Sequence, residues 1–305
     1  MTEMLESILE ECAPYAKQGK LADYIPELAK ANPDDFGICI IGNDKVYSTA
    51  GVYRKQFTIQ SIVKPILLLL ALIDNGIDCV KNHIGVEATG KPFDAINYND
   101  KSLLRENINP MVNMGAIVMC TLIKGDTYDE KFNHLLQLTR KLANNPDIDL
   151  DQDVYASEKR TGNKNRALAY LLKTYGMIQD DVEDVLDCYF KACSIKVCCE
   201  DLAIIGLVFA NHGESPLTGE SIFSKKYANY VNAILITCGM YDGSGDFAVK
   251  VGVPAKSGVG GGIMAVVPSR MGIGIFSPAI DIKGNSVAGI KALEKLSTEL
   301  NLSIF

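Results

Sequence analysis

The stretch Phe57-Thr-Ile-Gln-Ser61-Ile-Val-Lys64-Pro65-Ile-Leu-Leu-Leu-Leu-Ala71 lies where the chain changes from strands to helices. Its second half is continuously apolar, which is typical of a buried helix. Proline is tolerated in the first turn of a helix but not deeper, so Pro65 predicts that Ser61 lies at the helix N-terminus. Ser61 and Lys64 are three residues apart, and on a helix this spacing places both side chains on one face.

The residues before this junction predict two amphipathic helices followed by a small antiparallel meander. Apolar residues at helical spacing indicate the helices, and short apolar or alternating runs separated by turn residues indicate the strands. The helices are expected over residues 4–15 and 21–31, and the strands over residues 36–41, 45–49 and 55–59.

The residues after the junction predict helices with polar loops as far as about Tyr241, and then strands again. The later helices are expected over residues 66–74, 113–123, 135–143, 164–175, 182–192 and 199–210. The later strands are expected over residues 247–251, 262–268 and 272–276, and a last helix runs from Ser286 to about Asn301.

This order of elements predicts an α+β fold in which strands from both ends of the chain form one antiparallel sheet. Helices from the two termini would flank that sheet. Residues 1–60 and 246–305 would form the α/β sheet lobe, and residues 61–245 would form an all-helical lobe. The two lobes together are expected to make a single catalytic unit, with a small-molecule site in the cleft between them.

Composition excludes several classes of protein. The chain has 305 residues and a net charge of −7, which argues against a nucleic-acid or anionic-membrane partner. No apolar run approaches the roughly twenty residues that a membrane span needs. The acidic first twenty residues do not resemble a signal peptide, and the nine cysteines are expected to be reduced thiols, so we expect a cytoplasmic protein. Cysteine and histidine spacing predicts no metal site.

Two motifs carry possible chemistry. Ser61 and Lys64 form a serine nucleophile with a lysine base if the lysine is neutral, which requires burial or a second cation nearby. A capping serine with a surface lysine is the alternative interpretation. The stretch Lys256-Ser257-Gly258-Val-Gly-Gly-Gly262 lets backbone N–H groups approach a ligand, and Lys256 is a candidate for the second cation. This stretch could otherwise be a phosphate loop or a bulged strand.

An early Ser-x-x-Lys and a late Lys-Ser-Gly resemble the pattern of serine acyl-enzymes of the β-lactamase type. Ten ordered blocks, spanning about Tyr24 to Gly289, resemble the serine-dependent glutaminase family more specifically. They include Phe57 to Lys64, Asn109 to Ile117, Val154 to Glu158, Asn165 to Ala169, Cys193-Ser194, Asp201 to Ala203, Thr237 to Asp242, Pro254 to Gly262, Ser277-Pro278 and Gly284 to Val287.

The resemblance implies a cofactor-free hydrolysis of L-glutamine to L-glutamate and ammonia on a β-lactamase/transpeptidase-like fold. Ser61 would be the nucleophile and Lys64 its base, and the backbone N–H groups of Ser61 and Val259 would form the oxyanion hole. Tyr241 would relay a proton, with Lys256 close to it. The substrate would be held by the remaining matched side chains, Tyr24, Asn113, Glu158, Asn165 and Tyr189. A homo-oligomer is also expected, a tetramer by resemblance, with a dimer possible.

Residue chemistry suits these roles. The substrate ammonium needs a carboxylate such as Glu158, although a solvated surface glutamate is the alternative interpretation. A tyrosine beside two lysines is expected to be acidified enough to deliver a proton to departing ammonia. The chain departs from the usual family pattern at Val63, Met114 and Lys164, which affects packing more than chemistry.

Two other classes of function remain open from the residues. One is a related serine hydrolase that acts on asparagine or a β-lactam. The other is a sensor that binds glutamine or glutamate without turnover, although such a protein needs neither Ser61 nor Lys64.

Overall fold

A five-stranded antiparallel sheet joins the two ends of the chain in the computed structural model, which describes residues 1–90, 92, 94–95 and 107–305. The strands within these residues are β1 (Gly37–Gly42), β2 (Tyr47–Gly51), β3 (Phe57–Thr58), β4 (Lys196–Val197), β5 (Ala255–Ser257), β6 (Gly262–Val267) and β7 (Met271–Phe276). The order in the large sheet is β2-β1-β7-β6-β5, and β3 pairs with β4 in a separate two-stranded sheet.

Helices account for most of the remaining structure that is described. They are α1 (Thr2–Cys12), α2 (Lys64–Lys81), α3 (Asn113–Leu122), α4 (Tyr128–Ala143), α5 (Gln152–Thr161), α6 (Asn163–Thr174), α7 (Val182–Cys193), α8 (Cys199–Ala210), α9 (Lys225–Cys238), α10 (Ser244–Lys250) and α11 (Val287–Leu300). Within these described parts of the chain, no helix is both long and apolar enough to cross a membrane.

The sheet is built from both ends of the chain, as predicted. β1 pairs with β7 from Gly37 opposite Phe276 to Gly42 opposite Met271. Side chains alternate along a strand, so β1 contributes to two hydrophobic clusters. Ile38 and Ile40 pack with residues of the terminal helices α1 and α11, whereas Cys39 and Ile41 pack with residues of the helical segment. The predicted α+β architecture is therefore confirmed.

Helix α8 closes the second face of the sheet, although it belongs to the segment predicted as the helical lobe. It lies across β1, β6 and β7. This contact depends on two glycines of β7, because a Cβ on Gly272 would lie 1.9 Å from Ala203 O and one on Gly274 would lie 2.0 Å from Cys199 O. Any larger residue at either position would push α8 away from the sheet.

The predicted helix over residues 21–31 is wrong. Only a 3₁₀ turn forms there, at Leu28–Lys30. Pro26 lies in the middle of the segment, and a proline lacks the backbone donor that a helix interior needs and disfavours helical backbone at the residue before it. Apolar spacing alone therefore misassigned the segment.

The strand predicted over residues 247–251 is also wrong, because these residues belong to α10 and its C-terminal cap. Phe247 and Val251 are buried, but Val249 between them is 88% exposed. A strand would place all three side chains on one face, whereas a helix separates Val249 from the other two. The spacing of apolar residues is compatible with either a strand or a helix, and the exposure of Val249 shows that the segment is a helix.

The strand predicted over residues 55–59 is much shorter than expected, and it does not join the large sheet. Only Phe57–Thr58 is extended, and it pairs with β4. The N–H of Ile59 donates to Ile195 O, and Gln60 then adopts a left-handed backbone with φ of 48°. This turn ends the strand and directs the chain into α2.

Candidate active site

Ser61 lies in a 3₁₀ turn, Gln60–Val63, that leads directly into α2. The expected placement at a helix N-terminus therefore holds, with Lys64 as the first residue of α2 and Pro65 in its first turn. Gln60, the residue before Ser61, has a positive φ that costs a non-glycine residue roughly 1–3 kcal/mol. Such strain next to the candidate nucleophile is typical of functional sites.

The glycine-rich loop after β5 packs directly on this turn. A Cβ on Gly258 would lie 2.8 Å from Ile59 O, and one on Gly260 would lie 3.1 Å from Thr58 O. Because these glycines allow the two backbones to approach, Val259 between them is held beside the turn that carries Ser61. The loop is thus neither followed by a helix, as a phosphate loop would be, nor a bulge within a strand, since β6 begins only at Gly262.

Lys64 is fully buried and begins a chain of hydrogen bonds. Its Nζ donates to Asn113 Oδ1 at 2.6 Å, and Asn113 Nδ2 donates to Asn165 Oδ1 at 2.9 Å. Burial lowers the pKa of Lys64 from 10.5 to about 8. A lysine with this pKa has an appreciable neutral fraction near neutral pH, which a general base requires. The alternative of a surface lysine is excluded by its burial.

Glu158 points into the same pocket from α5 and is only 5% exposed. Burial raises its pKa from 4.5 to about 7, although a hydrogen bond from Gln60 and the charge of Lys64 act in the opposite direction. The alternative of a solvated surface glutamate is therefore excluded. A cation that enters the pocket beside this buried carboxyl group strongly stabilises its ionised form.

Tyr241 and Lys256 form a second buried pair. Lys256 Nζ lies 4.1 Å from the centroid of the Tyr241 ring and donates to Ser257 O at 2.7 Å. Burial, with a further contribution from the charge of Lys64, lowers the pKa of Lys256 well below its usual value. The close packing of these groups agrees with the expectation that Lys256 lies near Tyr241.

The expected acidification of Tyr241 is wrong. Burial raises the pKa of its hydroxyl group well above 10, and a hydrogen bond with the Ser61 side chain offsets this only in part. Desolvation disfavours the phenolate, and the charges of Asp281 and Asp94 act in the same direction. The hydroxyl group is therefore protonated at neutral pH, so it is suited to donating a proton without prior activation.

One pocket brings together the predicted substrate-binding side chains and the nucleophile. It is lined by residues from separate elements: Tyr24, Ile25, Gln60, Ser61, Asp94, Asn113, Glu158, Thr161, Gly162, Lys164, Asn165, Tyr189 and Cys193. Tyr189 on α7 is buried, whereas Tyr24 is 54% exposed. Lys64 is connected to the pocket by its hydrogen bond to Asn113, and Tyr241 is connected to it by a hydrogen bond with Ser61.

Sequence reasoning did not assign Gln60, Cys193 or Asp94 to the pocket. Gln60 Nε2 donates to Thr58 Oγ1 at 3.2 Å, and the side chain also bonds Glu158. Asp94 accepts a hydrogen bond from Lys164 Nζ at 2.5 Å. Gln60 could have been suspected because it directly precedes Ser61. In the described residues, no group of three or more His, Cys, Asp or Glu side chains could hold a metal ion.

Comparisons with known proteins agree closely with one another. The family model described as Glutaminase matches residues 19–305. The chain is 52% identical to a protein named Glutaminase 2 from Clostridium perfringens over 305 residues, which cover 100% of both chains. It is 51% identical to a glutaminase from Clostridioides difficile, covering 99% of this chain and 98% of that one.

Solved structures show the same similarity. One is the covalent complex between a Bacillus subtilis glutaminase and 5-oxo-L-norleucine, formed by reaction with 6-diazo-5-oxo-L-norleucine. It is 38% identical, has a TM-score of 0.91, and covers 100% of this chain and 99% of that one. Another is Mglu in its glutamate form, which is 34% identical, has a TM-score of 0.94, and covers 99% of this chain and 69% of that one.

Proposed function

Since this chain belongs to the glutaminase family, we propose that it hydrolyses L-glutamine to L-glutamate and ammonia through an ester on Ser61. The resemblance inferred from the sequence motifs is confirmed, and so are the enzyme class, a glutaminase and hence an amidohydrolase, and the β-lactamase-like fold. The observation that carries the proposed mechanism is the buried Lys64, whose pKa is lowered to about 8 three residues from the buried Ser61.

Acylation begins when neutral Lys64 accepts the proton of Ser61 Oγ and the oxygen attacks the γ-carboxamide carbon of glutamine. The carbonyl oxygen gains negative charge and accepts hydrogen bonds from the backbone N–H groups of Ser61 and Val259. Each such donor stabilises the transition state by roughly 3 kcal/mol. The packing of the glycine-rich loop on the Ser61 turn supports this arrangement.

Ammonia then leaves and water releases glutamate. An amide nitrogen departs only when it is protonated, and Tyr241, which bonds Ser61 and keeps its proton at neutral pH, supplies that proton. Lys256 Nζ lies 4.1 Å from the centroid of the Tyr241 ring, so it packs directly against the residue that donates the proton. Lys64 returns the proton it took from Ser61 to the Tyr241 phenolate and becomes neutral again. It then removes a proton from water, which attacks the ester carbon, and passes that proton to Ser61 Oγ as glutamate leaves.

Recognition of glutamine depends on its α-amino and α-carboxylate groups. Glu158 neutralises the ammonium group, and the amide and hydroxyl donors of Asn113, Asn165 and Tyr189 bind the carboxylate. Tyr24 closes the mouth of the pocket. The separation between these groups and Ser61 selects a substrate with the chain length of glutamine, because a shorter amide such as asparagine leaves buried polar groups unpaired.

The relatives support this proposal. The Bacillus subtilis glutaminase forms a covalent complex with 5-oxo-L-norleucine, and Mglu was obtained in a glutamate form. We further propose that the enzyme is a cytoplasmic homo-oligomer, a tetramer as the resemblance implies. We also propose that the sheet lobe (1–60 and 246–305) and the helical lobe (61–245) form one catalytic unit, because Ser61 and Val259 come from different lobes.

The mechanism is tested with 6-diazo-5-oxo-L-norleucine and with ammonia release from glutamine. We expect Ser61→Ala to lose at least about 10⁴-fold in kcat and to acquire no label, while the wild-type protein is labelled on the peptide that contains Ser61. Lys250→Ala, which changes an exposed lysine of α10, should behave like wild type.

A labelled Ser61→Ala protein, or one that keeps most activity, would show that the nucleophile is another residue. Comparison of kcat/KM on glutamine, asparagine and a chromogenic β-lactam separates the related hydrolases, and calorimetric binding of glutamine without ammonia release would indicate a sensor.

A further inference from the structure

The backbone of Tyr241 is held in an unusual conformation. Its φ is 52°, in the left-handed region that non-glycine residues rarely occupy. It begins a 3₁₀ turn, Tyr241–Gly243, between α9 and α10. A residue remains in this region only where surrounding contacts determine its conformation. The contacts around Tyr241 therefore indicate which residues its position depends on.

Ser244 is the first of these contacts. Its Oγ accepts a hydrogen bond from the N–H of Met240 at 3.0 Å and donates to the carbonyl oxygen of Tyr241 at 2.8 Å. The hydroxyl group thus joins backbone atoms on both sides of the strained residue. Ser244 is only 4% exposed, so water does not readily replace these bonds when the hydroxyl group is removed.

Asn285 is the second contact, and it comes from a distant part of the chain. Its Nδ2 donates at 3.1 Å to the carbonyl oxygen of Met240, which belongs to the peptide group joining Met240 to Tyr241. The orientation of this peptide plane sets φ of Tyr241. Asn285 is 1% exposed, and its own N–H donates to Asp281 Oδ1 at 2.9 Å. The backbone of Asn285 is therefore fixed just before α11 begins.

We propose that Ser244 and Asn285 are positioning residues that hold Tyr241 in its left-handed conformation, and that they affect catalysis only through Tyr241. This inference rests on the proposed role of Tyr241 as proton donor. The phenol oxygen lies at the far end of a long side chain, so a small rotation of the backbone moves it away from Ser61. The stacking of Lys256 on the ring does not prevent such a rotation, because a cation–π contact has little directional constraint within the ring plane.

The test combines Ser244→Ala and Asn285→Ala with Tyr241→Phe, and measures kcat and KM for ammonia release from glutamine. Each alanine variant should lower kcat by about 10-fold or more and change KM by less than about two-fold, because the substrate-binding side chains lie on other elements. Ser244→Thr keeps the hydroxyl group and should retain kcat within about three-fold. In the Tyr241→Phe background, either alanine substitution should lower kcat by less than about two-fold further.

Ser297→Ala is the matched control. Ser297 is also a buried serine, although it lies in the sheet lobe, and its Oγ donates to Val251 O at 2.6 Å, away from the 3₁₀ turn of Tyr241. It should lower the melting temperature as much as Ser244→Ala and leave kcat unchanged. If Ser244→Ala does not fold, Asn285→Ala tests the same coupling independently.

Two results would overturn the inference, and they differ in what else they contradict. If Tyr241→Phe is impaired but the alanine substitutions leave kcat unchanged, or lower it by the same factor in both backgrounds, the positioning role is wrong and Tyr241 remains the donor. If Tyr241→Phe itself has wild-type kcat, the proposed role of Tyr241 fails together with the inference.

Discussion

The buried Lys64 behind the pocket and Lys191 on α7 have pKa values shifted in opposite directions. Behind the pocket, burial lowers the pKa of Lys64 to about 8. On α7, partial burial of Lys191 favours its neutral form, but hydrogen bonds to Asp129 and Asp187 outweigh this and raise its pKa. The same residue type is therefore a candidate base in one place and a permanent cation in the other.

The difference teaches that burial and carboxylate partners act in opposite directions on the pKa of a lysine: burial dominates at Lys64, and two carboxylates outweigh it at Lys191. Lys191 bonds Asp129 at 2.5 Å and Asp187 at 2.6 Å. Lys64 instead donates to an amide oxygen of Asn113, which accepts the hydrogen bond without supplying a full negative charge. An amide partner positions the lysine and leaves it free to lose its proton.

The largest effect on catalysis is expected when Lys64 is replaced by a residue that cannot become neutral. Lys64→Arg keeps a positive charge and a hydrogen-bond donor, but a guanidinium group does not lose its proton. We expect kcat to fall by about 10²–10⁴-fold, the range that a general base contributes. Lys191→Arg is the control and should keep wild-type kcat, since Lys191 acts only as a cation. An active Lys64→Arg enzyme would contradict the assignment of the base.

A smaller effect on kcat/KM is expected when the pH is changed. The proposed mechanism requires neutral Lys64, with a pKa of about 8, and ionised Glu158, with a pKa of about 7. Both groups must lose a proton, so kcat/KM of the free enzyme should rise with pH, by about ten-fold per unit between the two values and more steeply below both. Glu158→Gln should lower kcat/KM and make the acidic limb shallower by one proton. A wild-type profile that is flat from pH 6 to 9 would contradict both shifts.

The smallest effect is expected on the surface of α7. Asp187→Ala removes hydrogen bonds to Tyr155, Lys159 and Lys191, and should lower the free energy of unfolding by about 1 kcal/mol. The loss should shrink in high salt because exposed charges are screened. Activity should stay within about two-fold of wild type. Denaturant unfolding at two salt concentrations measures the first effect, and an ammonia assay checks the second.

The part of the site that could be predicted from sequence depends on local spacing. Ser61 and Lys64 are three residues apart, so a helix start brings them together whatever the rest of the chain does. The contact between Asn113 and Asn165 joins two helices, and only the family resemblance indicated it. The fold followed the same rule, since β1 and β7 were predicted as strands from their own residues and placed in one sheet, but their direct pairing was not predicted.

The failures of prediction also have physical causes. Residues 21–31 have helical spacing, but Pro26 removes the backbone donor on which a helix depends. Residues 247–251 fit two periods equally, and only the exposure of Val249 separates them. The sign of the Tyr241 pKa shift depends on burial, and a sequence contains no measure of burial.

The pairing of β1 with β7 has a consequence for how the protein is made. A ribosome releases β1 long before β7, so the central strand pair of the sheet cannot form until nearly the whole chain has been synthesised. Contacts between such distant segments slow folding, because a large loop must close before they are gained. Until β7 has emerged, α8 lacks the strand against which it packs. The apolar surface of α8 is then accessible to chaperones and can aggregate. We therefore expect nascent chains of this enzyme to remain inactive until β7 has emerged.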